Sequence, residues 1–250
     1  MTISRGDVVL VTGASGAIGF EIAAQAAEAG AVVAVHGSHA KSVAKAIERL
    51  RARVAEAQLI AAPADFREEG AIEAMVEKVA VAAGRFDAVI HCGITGGAGV
   101  AGPFATATPA SFGEHAALVL GSFQRLCFAA LPHLAVRGGT IIGFASDAGK
   151  FASPRQAIIG AAFGGIMSFA RNLALEVSRQ GVRVHCISPS FVADTPAFER
   201  HAARARTAFD RAGLGLPTPK DIAPMALFLC GPDAAKITGQ IISINGGLNA

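Results

Sequence analysis

The sequence predicts a doubly wound α/β fold, in which helices cover both faces of one seven-stranded parallel sheet. Three observations predict it. Short β-branched runs alternate with longer alanine-rich stretches of helical periodicity. The 250 residues include 52% hydrophobic and only 16% charged residues, which supplies the apolar surface for one large core. No internal repeat or low-complexity tract marks a second domain, so we expect residues 1–250 to form a single domain.

The elements follow in chain order from these two patterns. The β-branched runs predict strands at Val8–Thr12, Val32–His36, Gln58–Ala61, Ala88–His91, Thr140–Ala145, Val182–Ile187 and Gln240–Ile244. The stretches between them predict helices at Ile18–Ala29, Lys41–Arg53, Glu68–Ala83, Ser111–Val136, Gln156–Arg179, Thr195–Ala212 and Asp221–Cys230. Gly93–Pro109 and Gly213–Pro219 read as loops, which in such folds usually carry function, and we expect residues 190–219 to cover a substrate.

Charge and hydropathy exclude several classes of partner. The net charge of +3 comes from Lys and Arg scattered along helices such as Lys41–Arg53, so no nucleic-acid partner is expected. The longest uncharged helical stretch, Gln156–Ala170, is too short to span a bilayer. Met1–Asp7 is short and polar and leaves no room for a signal peptide. We therefore predict a cytoplasmic protein with no membrane partner.

The four cysteines and the low charge content bear on redox state and assembly. The cysteines lie in apolar runs without the close spacing of a metal site, so reduced, buried thiols and no metal are expected: Cys92, Cys127, Cys186 and Cys230. The low charge content suggests that other subunits cover some helices. We predict a homo-oligomer, a dimer or tetramer, that pairs through helices 111–136 and 156–179, where small residues permit close helix contact.

A glycine-rich turn is the most informative motif. Thr12-Gly13-Ala14-Ser15-Gly16-Ala17-Ile18-Gly19 follows the first predicted strand and opens the first helix, which is the context of a dinucleotide fingerprint. Its glycines allow a tight turn, and a pyrophosphate can lie against the free N–H groups at the positive end of the helix. This context favours a dinucleotide site over an ordinary strand-to-helix turn.

From this turn onward the sequence resembles the short-chain dehydrogenases/reductases, which have the Rossmann fold, over essentially all its residues. Gly16 fits the spacing of longer relatives, whereas Ala17 replaces the family's usual middle glycine and should reshape the turn without abolishing it. Asp65, Gly239-Gln240 and Asn245-Gly246-Gly247 also match. The resemblance implies a dinucleotide cofactor held by Gly13, Ser15, Gly16, Ile18, Gly19, Ser38, His39, Asp65, Gly93, Pro189 and Thr195.

Cofactor choice in such folds is decided at the end of the second strand, where an acid binds the ribose of NAD. Gly37 stands where that acid is expected. Ser38, His39 and Lys41 are available for the extra phosphate of NADP, although the family's usual arginine at position 38 is missing. NADP is therefore preferred and NAD stays possible, with a solvated loop as the alternative reading of these residues.

The family's catalytic positions are largely lost. The resemblance places the catalytic serine at Ser146, the tyrosine at Ile159, the lysine at Phe163 and the helix asparagine at Leu118. A register shift cannot restore the tyrosine because the chain contains none. In the family the tyrosine exchanges a proton with the substrate oxygen, the lysine lowers its pKa and holds the ribose, and the serine binds the same oxygen. An apolar pocket without this relay is expected, with a weaker grip on the nicotinamide half.

Two further family segments are altered. The usual Asn-Asn-Ala-Gly reads His91-Cys92-Gly93-Ile94, which predicts loss of the amides that brace the central strands. The usual Pro-Gly pair reads Pro189-Ser190. The threonine that contacts the nicotinamide is either absent at Asp194 or displaced to Thr195.

Several polar residues are candidates for the missing chemistry. Ser146 and Asp147 are the candidate catalytic residues, and His91 or Asp147 is an alternative acid if partly desolvated. The loop expected to overhang the substrate carries Lys150, Ser153, Arg155 and Gln156. Structural roles are the better reading for each alone: a loop-capping carboxylate for Asp147, a satisfied strand-end histidine for His91, and a solvated helical turn for Arg155 with Gln156.

Three functions remain open. The first is a divergent oxidoreductase that transfers hydride on a small carbonyl, alcohol or related substrate without the Tyr-Lys relay. The second is a non-redox lyase, isomerase or cyclase on the same fold. The third is a catalytically silent subunit of an oligomer. Fold membership cannot choose among them, because function depends on the site.

Overall fold

Seven parallel strands form one sheet in the order β3-β2-β1-β4-β5-β6-β7. The computed structural model describes residues 3–93, 99–200 and 210–249. The strands are β1 Val8–Thr12, β2 Val32–Gly37, β3 Gln58–Pro63, β4 Ala88–His91, β5 Gly139–Phe144, β6 Val182–Pro189 and β7 Ile241–Ile244. The chain winds outward from β1 to β3 and then returns to β4 on the other side of β1. The order therefore reverses between β1 and β4, where ligands bind in folds of this type.

Helices cover both faces of the sheet, which confirms the predicted fold class. They are α1 Ala17–Glu28, α2 Ala40–Arg53, α3 Ala71–Ala83, α4 Ala110–Ala116, α5 Ser122–Leu134, α6 Ala157–Val177, α7 Pro196–Arg200 and α8 Pro219–Cys230. One apolar core joins α1, α2 and α8 to the sheet, and the other joins α3, α5 and α6 to its opposite face. Because successive strand residues point to opposite faces, Val9 enters the first core and Leu10 the second.

The strand predictions are confirmed in number and place. Strands β1 and β4 have the predicted bounds, and β2, β3 and β6 each extend further at their carboxyl ends. Strand β5 starts at Gly139 and ends at Phe144, although the Ala145 N–H still donates to the Ile187 carbonyl in the same ladder. Strand β7 begins one residue after the predicted Gln240.

The predicted start of the third helix at Glu68 is wrong. Helix α3 starts at Ala71, and Gly70 before it has a φ of 76°, a left-handed conformation that cannot continue a right-handed helix. Turns with backbone bonds from Glu68 to Asp65 and from Ala71 to Glu68 occupy the preceding residues. Helix α8 instead starts earlier than predicted, because the Thr218 N–H donates to the Asp221 carboxylate and caps its first turn.

The predicted helix Ser111–Val136 is divided. A π-helical segment, Ala117–Gly121, separates α4 from α5. The predicted helix Thr195–Ala212 is observed as α7 and as helical residues 210–211, and residues 201–209 between them lie outside the described residues. Residues 94–98 of the predicted loop Gly93–Pro109, including Ile94, also lie outside them.

Two helical stretches, Ala110–Leu134 and Ala157–Gln180, are long and apolar enough to cross a membrane by length and composition alone. Both are longer than the uncharged stretch considered from the sequence. In the fold they pack against the sheet, where Leu126 and Ile166 are fully buried. The second core explains part of their apolar character, because 44% of the most apolar part of the first stretch and 28% of that of the second are buried.

Candidate active site

The glycine-rich turn closes tightly on the strand beside it. Gly13 has a φ of 67°, and a Cβ there would lie 2.7 Å from the Cα of Gly93, at the end of β4. A Cβ on Gly19 would lie 2.4 Å from the Gly13 carbonyl oxygen. Only glycine fits either position without a backbone shift. Ala17, the departure from the family spacing, is the first residue of α1, where a Cβ causes no conflict.

The start of α1 can bind an anion. Its N-cap residue, Gly16, makes no side-chain capping bond, and no acidic residue lies in the first turn. The first N–H groups of the helix therefore face the site without a side-chain acceptor, at the positive end of the helix dipole. This is the arrangement that a pyrophosphate requires.

His36 holds the glycine-rich turn by a hydrogen bond to Gly13, a role that the sequence did not predict. The Gly13 N–H donates to His36 Nδ1 over 3.0 Å, so Nε2 carries the proton and donates to the Ala64 carbonyl over 3.0 Å. Burial lowers the pKa of His36 to about 4, so the ring is neutral. The Phe66 ring stacks on it with centroids 4.4 Å apart.

A first cavity lies on one side of the turn. It is lined by Gly13, Ser15, Ser38, Asp65, Phe66, Arg67, Gly93 and Leu118, among others. A Cβ on Gly37 would meet the Ser15 and Ser42 hydroxyl oxygens at 3.0 Å, so the position that usually carries the acid has little room for a side chain. His39, predicted as a cofactor residue, is exposed before α2 and does not line this cavity. Phe66 and Arg67 were not predicted.

A second cavity lies on the other side and shares Gly13 with the first. It is lined by Gly16, Ile18, Gly19, Cys92, Ser146, Pro189, Ser190 and Thr195, among others. Of the two positions left open for the displaced threonine, Thr195 lines the cavity. Its hydroxyl donates to the Val192 carbonyl over 2.8 Å and accepts from the Phe198 N–H, so it caps α7. Asp194 is exposed, with a φ of 58°.

His91 forms the centre of a buried hydrogen-bond chain between β1, β4 and the π-helical segment. The Gly93 N–H donates to the Thr12 hydroxyl, which donates to His91 Nδ1 over 2.8 Å. His91 Nε2 then lies 3.3 Å from the Ser122 hydroxyl, which itself donates to the Leu118 carbonyl. This donor order requires a neutral ring with its proton on Nε2.

The hydrogen bonds of this segment favour the structural reading of His91 over the alternative of an acid, and they compensate for the amides that the sequence lacks. The central strands keep a brace, because His91 links β4 to Thr12 of β1 in place of the family's amides. His91 is also unsuited to act as an acid, because its side chain has no exposed surface and both ring nitrogens are engaged. Burial lowers the pKa of His91 to about 3, which keeps the ring uncharged at neutral pH.

Of the four catalytic positions, only Ser146 presents a polar side chain to the site. Ser146 lies two residues beyond the end of β5, lines the second cavity and accepts a bond from the Ala148 N–H over 3.3 Å. Ile159 and Phe163 are half-buried on α6, four residues apart and hence on one helix face, and neither lines the first or second cavity. Phe163 packs against the second core.

Asp147 anchors the C-terminal segment to the end of β5. Its carboxylate is 2% exposed and accepts four hydrogen bonds. The donors are the hydroxyls of Ser188 and Ser243 and the side-chain amides of Asn245 and Asn249, at 2.6–3.2 Å. With both oxygens engaged, this geometry favours the structural role over proton transfer.

A third cavity lies beyond Ser146, in the position expected for a substrate. Ser146, Ser190 and Phe191 line both this cavity and the second one. Ser153 and Gln156 of the predicted overhanging loop also line it, as do Arg211 and Asn249. Lys150 is directed elsewhere, because its ammonium donates to the Ser243 hydroxyl over 3.0 Å. Arg155 has a φ of 69°, and its carbonyl accepts from the Gly102 N–H.

Comparison with known proteins finds relatives along nearly the whole chain. The enoyl-(acyl carrier protein) reductase family matches residues 13–249. A 3-oxoacyl-(acyl-carrier-protein) reductase of Chlamydia muridarum is 31% identical over 249 residues, which cover 96% of each chain. A D-beta-hydroxybutyrate dehydrogenase of Rhizobium meliloti is 30% identical over 96% of this chain and 98% of the relative.

Solved structures show the same architecture. A short-chain type dehydrogenase/reductase from Mycobacterium ulcerans superimposes with a TM-score of 0.90 at 25% identity, over 98% of this chain and 91% of that one. A 7α-hydroxysteroid dehydrogenase, solved with NADH and 7-oxo glycochenodeoxycholic acid, gives 0.88 at 26% identity, over 97% and 94% of the two chains.

Proposed function

The chain belongs to the short-chain dehydrogenase/reductase family, and from this premise we propose an oxidoreductase that lacks the family's Tyr-Lys relay. It binds NADP(H) in preference to NAD(H) and transfers hydride on a small carbonyl, alcohol or related substrate. The single observation that carries the proposal is the pair of cavities that meet at Gly13, beside the uncapped start of α1. A pyrophosphate at this helix end would leave one cavity for each half of a dinucleotide.

The lining of the first cavity supports NADP over NAD. It has no acid at Gly37 to repel a ribose phosphate, and Ser38 and Arg67 offer a hydroxyl and a guanidinium. Arg67 lies 3.5 Å from Asp65 and 3.7 Å from Glu114, in ion pairs that are exposed or partly exposed. Such pairs contribute little, so the guanidinium is available to a phosphate.

The second cavity supports direct hydride transfer with a different source of the proton. A bound nicotinamide supplies or accepts the hydride. Ser146 lines both the second and the third cavity, and in this proposal its hydroxyl donates a hydrogen bond to the substrate oxygen. Ile159 and Phe163 have no proton to exchange, so in this proposal water or the substrate itself provides it.

Calorimetric titration with NADP⁺, NAD⁺ and their reduced forms tests the cofactor proposal. We expect binding of both pairs, with the NADP forms bound about tenfold more tightly, because one added charge-assisted bond contributes at least about 1.4 kcal/mol. Nicotinamide absorbance is then followed across carbonyl, imine and enoyl compounds. Failure of all four nucleotides to bind would refute the proposal. Binding without turnover of any compound would favour the second candidate function, a catalytically silent subunit.

Restoring the relay tests whether its loss limits catalysis. In the double variant Ile159→Tyr with Phe163→Lys, we expect carbonyl reduction with NADPH to rise on the order of a hundredfold, the usual contribution of general acid catalysis. The control pair Ile159→Phe with Phe163→Met approximates the shapes of tyrosine and lysine without a proton donor and should leave the rate unchanged. If NADPH binds and the rate does not rise, the pocket serves a different reaction.

A catalytically silent subunit is the second candidate, and exposed apolar side chains favour it. Phe128 of α5 and Leu175 of α6 are each 79% exposed. Large exposed apolar groups on neighbouring helices are typical of an interface. We propose that these helices pair copies of this chain into a dimer or tetramer. Light scattering of the purified protein measures its mass, and a monomer would contradict this pairing. The silent-subunit role requires an active relative in the same oligomer, so recovery of only homogeneous oligomers from the native source, with no partner, would contradict that role.

Location and other partners follow from the same residues. We propose a cytoplasmic protein that acts on a small molecule, without a nucleic-acid or membrane partner. The four cysteines are free thiols that are buried or half-buried, which suits a reducing compartment.

A further inference from the structure

The third cavity has the size and lining of a small-molecule site. Its volume is about 400 Å³, in the lower part of the range for ligand pockets. Phe151, Phe191 and Leu248 provide apolar surface, and hydroxyl and amide groups also line the cavity. Because Ser146 and Ser190 also line the second cavity, a molecule in the third cavity reaches the point where the reacting groups would meet.

The two charged groups that line this cavity, Asp147 and Arg211, differ in whether they are free to bind a ligand. Asp147 contributes a carboxylate whose two oxygens already accept four hydrogen bonds from Ser188, Ser243, Asn245 and Asn249. Arg211 also lines the cavity and is exposed, and within the described ranges its guanidinium makes neither an ion pair nor a hydrogen bond. The Arg211 guanidinium can therefore donate hydrogen bonds to a ligand, whereas both carboxylate oxygens of Asp147 are already occupied by donors of the protein.

We propose that the third cavity binds a carbonyl or alcohol substrate carrying a carboxylate, with Arg211 binding the carboxylate and Ser146 with Ser190 binding the reacting oxygen. A planar guanidinium matches a carboxylate in a bidentate pair. The Ser190 hydroxyl has no hydrogen-bond partner within the described residues, and it stands where the family has glycine. It is therefore free to supply a second donor beside Ser146.

The reaction of this substrate class rests on the proposed function, whereas its binding in the third cavity does not. A keto or hydroxy acid carries both groups that these residues would bind, and its carbon chain would lie against apolar side chains of the lining such as Phe151 and Phe191. A neutral ketone of the same length would leave the guanidinium without its anion. Charge therefore becomes the property by which this cavity selects its ligand.

The inference is tested by measuring the binding of carboxylic acids and of their neutral ester or amide analogues. 4-Oxopentanoate and its methyl ester, and pyruvate and pyruvamide, are titrated calorimetrically into the full chain with and without NADP⁺. We expect each acid to bind at least tenfold more tightly than its neutral analogue, the equivalent of one charge-assisted bond. Arg211→Gln should remove that advantage and leave the affinity for the neutral analogue unchanged, and Arg211→Lys should keep part of it. Arg51→Gln, an exposed arginine on α2, is the matched control and should bind as the native protein does.

The outcomes separate this inference from the proposed function. Selective binding of acids that depends on Arg211 supports the inference even if no nucleotide binds, in which case the oxidoreductase proposal alone fails. Equal binding of acids and neutral analogues overturns it, as does an unchanged preference in Arg211→Gln. Turnover of neutral carbonyls in preference to the acids leaves the oxidoreductase proposal intact and overturns the anionic substrate class.

Discussion

Substitution of Gly13 by alanine is expected to lower nucleotide affinity on the order of a hundredfold. The added Cβ would lie 2.7 Å from Gly93 Cα and 2.8 Å from the backbone of Cys92. Both contacts are with backbone atoms, which cannot rotate away, so the turn and the start of α1 must shift together. Misplacement of a binding group by about 1 Å has effects of this size. Calorimetric titration with NADP⁺ measures the loss.

Gly84→Ala is the matched control for the backbone conformation. Gly84 has a φ of 70°, close to that of Gly13, but no atom lies within 4 Å of its added Cβ. It should therefore lose only the stability that a left-handed alanine costs, about 1–2 kcal/mol, and bind nucleotide normally. Normal binding by Gly13→Ala would contradict the assignment of this turn to the cofactor.

Substitution of Asp147 by alanine is expected to lower the free energy of unfolding by about 3–5 kcal/mol, because each buried donor that loses its acceptor costs about 1–3 kcal/mol and two of the four donors are buried. Ser188 and Asn245 are both at most 6% exposed, so water cannot replace the lost carboxylate at these donors without a rearrangement. The link between the β5 end and the C-terminal segment would be lost with it. Urea unfolding followed by circular dichroism measures the change.

Asp221→Ala is the control, because it also removes a carboxylate that accepts hydrogen bonds from neutral donors. Asp221 also accepts bonds from a neighbouring segment, the N–H and hydroxyl of Thr218, but these bonds are exposed. Its loss should cost about 1 kcal/mol, the usual value for a helix cap. If the two variants were equally stable, Asp147 would have no anchoring role, and its carboxylate would again be a candidate for proton transfer.

Much of the candidate site could be predicted because its signals are local. Gly13, Gly16 and Gly19 belong to one short turn, and its conformation depends on residues that are adjacent in the chain. Ser146 was found in the same way, from its place at the end of a predicted strand. The missing tyrosine was certain from composition, since no fold can supply a residue type that the chain lacks.

The roles of other residues depend on neighbours that are distant in sequence. His91 is a brace rather than an acid because Thr12 and Ser122 occupy its ring nitrogens. Asp147 is engaged by donors that lie between 41 and 102 residues away along the chain. No periodicity or motif carries this information, because burial and partners arise only when the strands and the C-terminal segment come together.

The sequence by itself determined the positions of the strands along the chain, the glycine-rich turn and the loss of the Tyr-Lys pair. Each of these depends on residue type and on near neighbours in the chain. Only the tertiary structure decided which side chains share a cavity. Phe66 and Arg67 join the turn around one cavity, and Arg211 joins Ser146 around another. The physical reason is that parallel strands bring their carboxyl ends to one edge of the sheet, so residues far apart in the chain meet there.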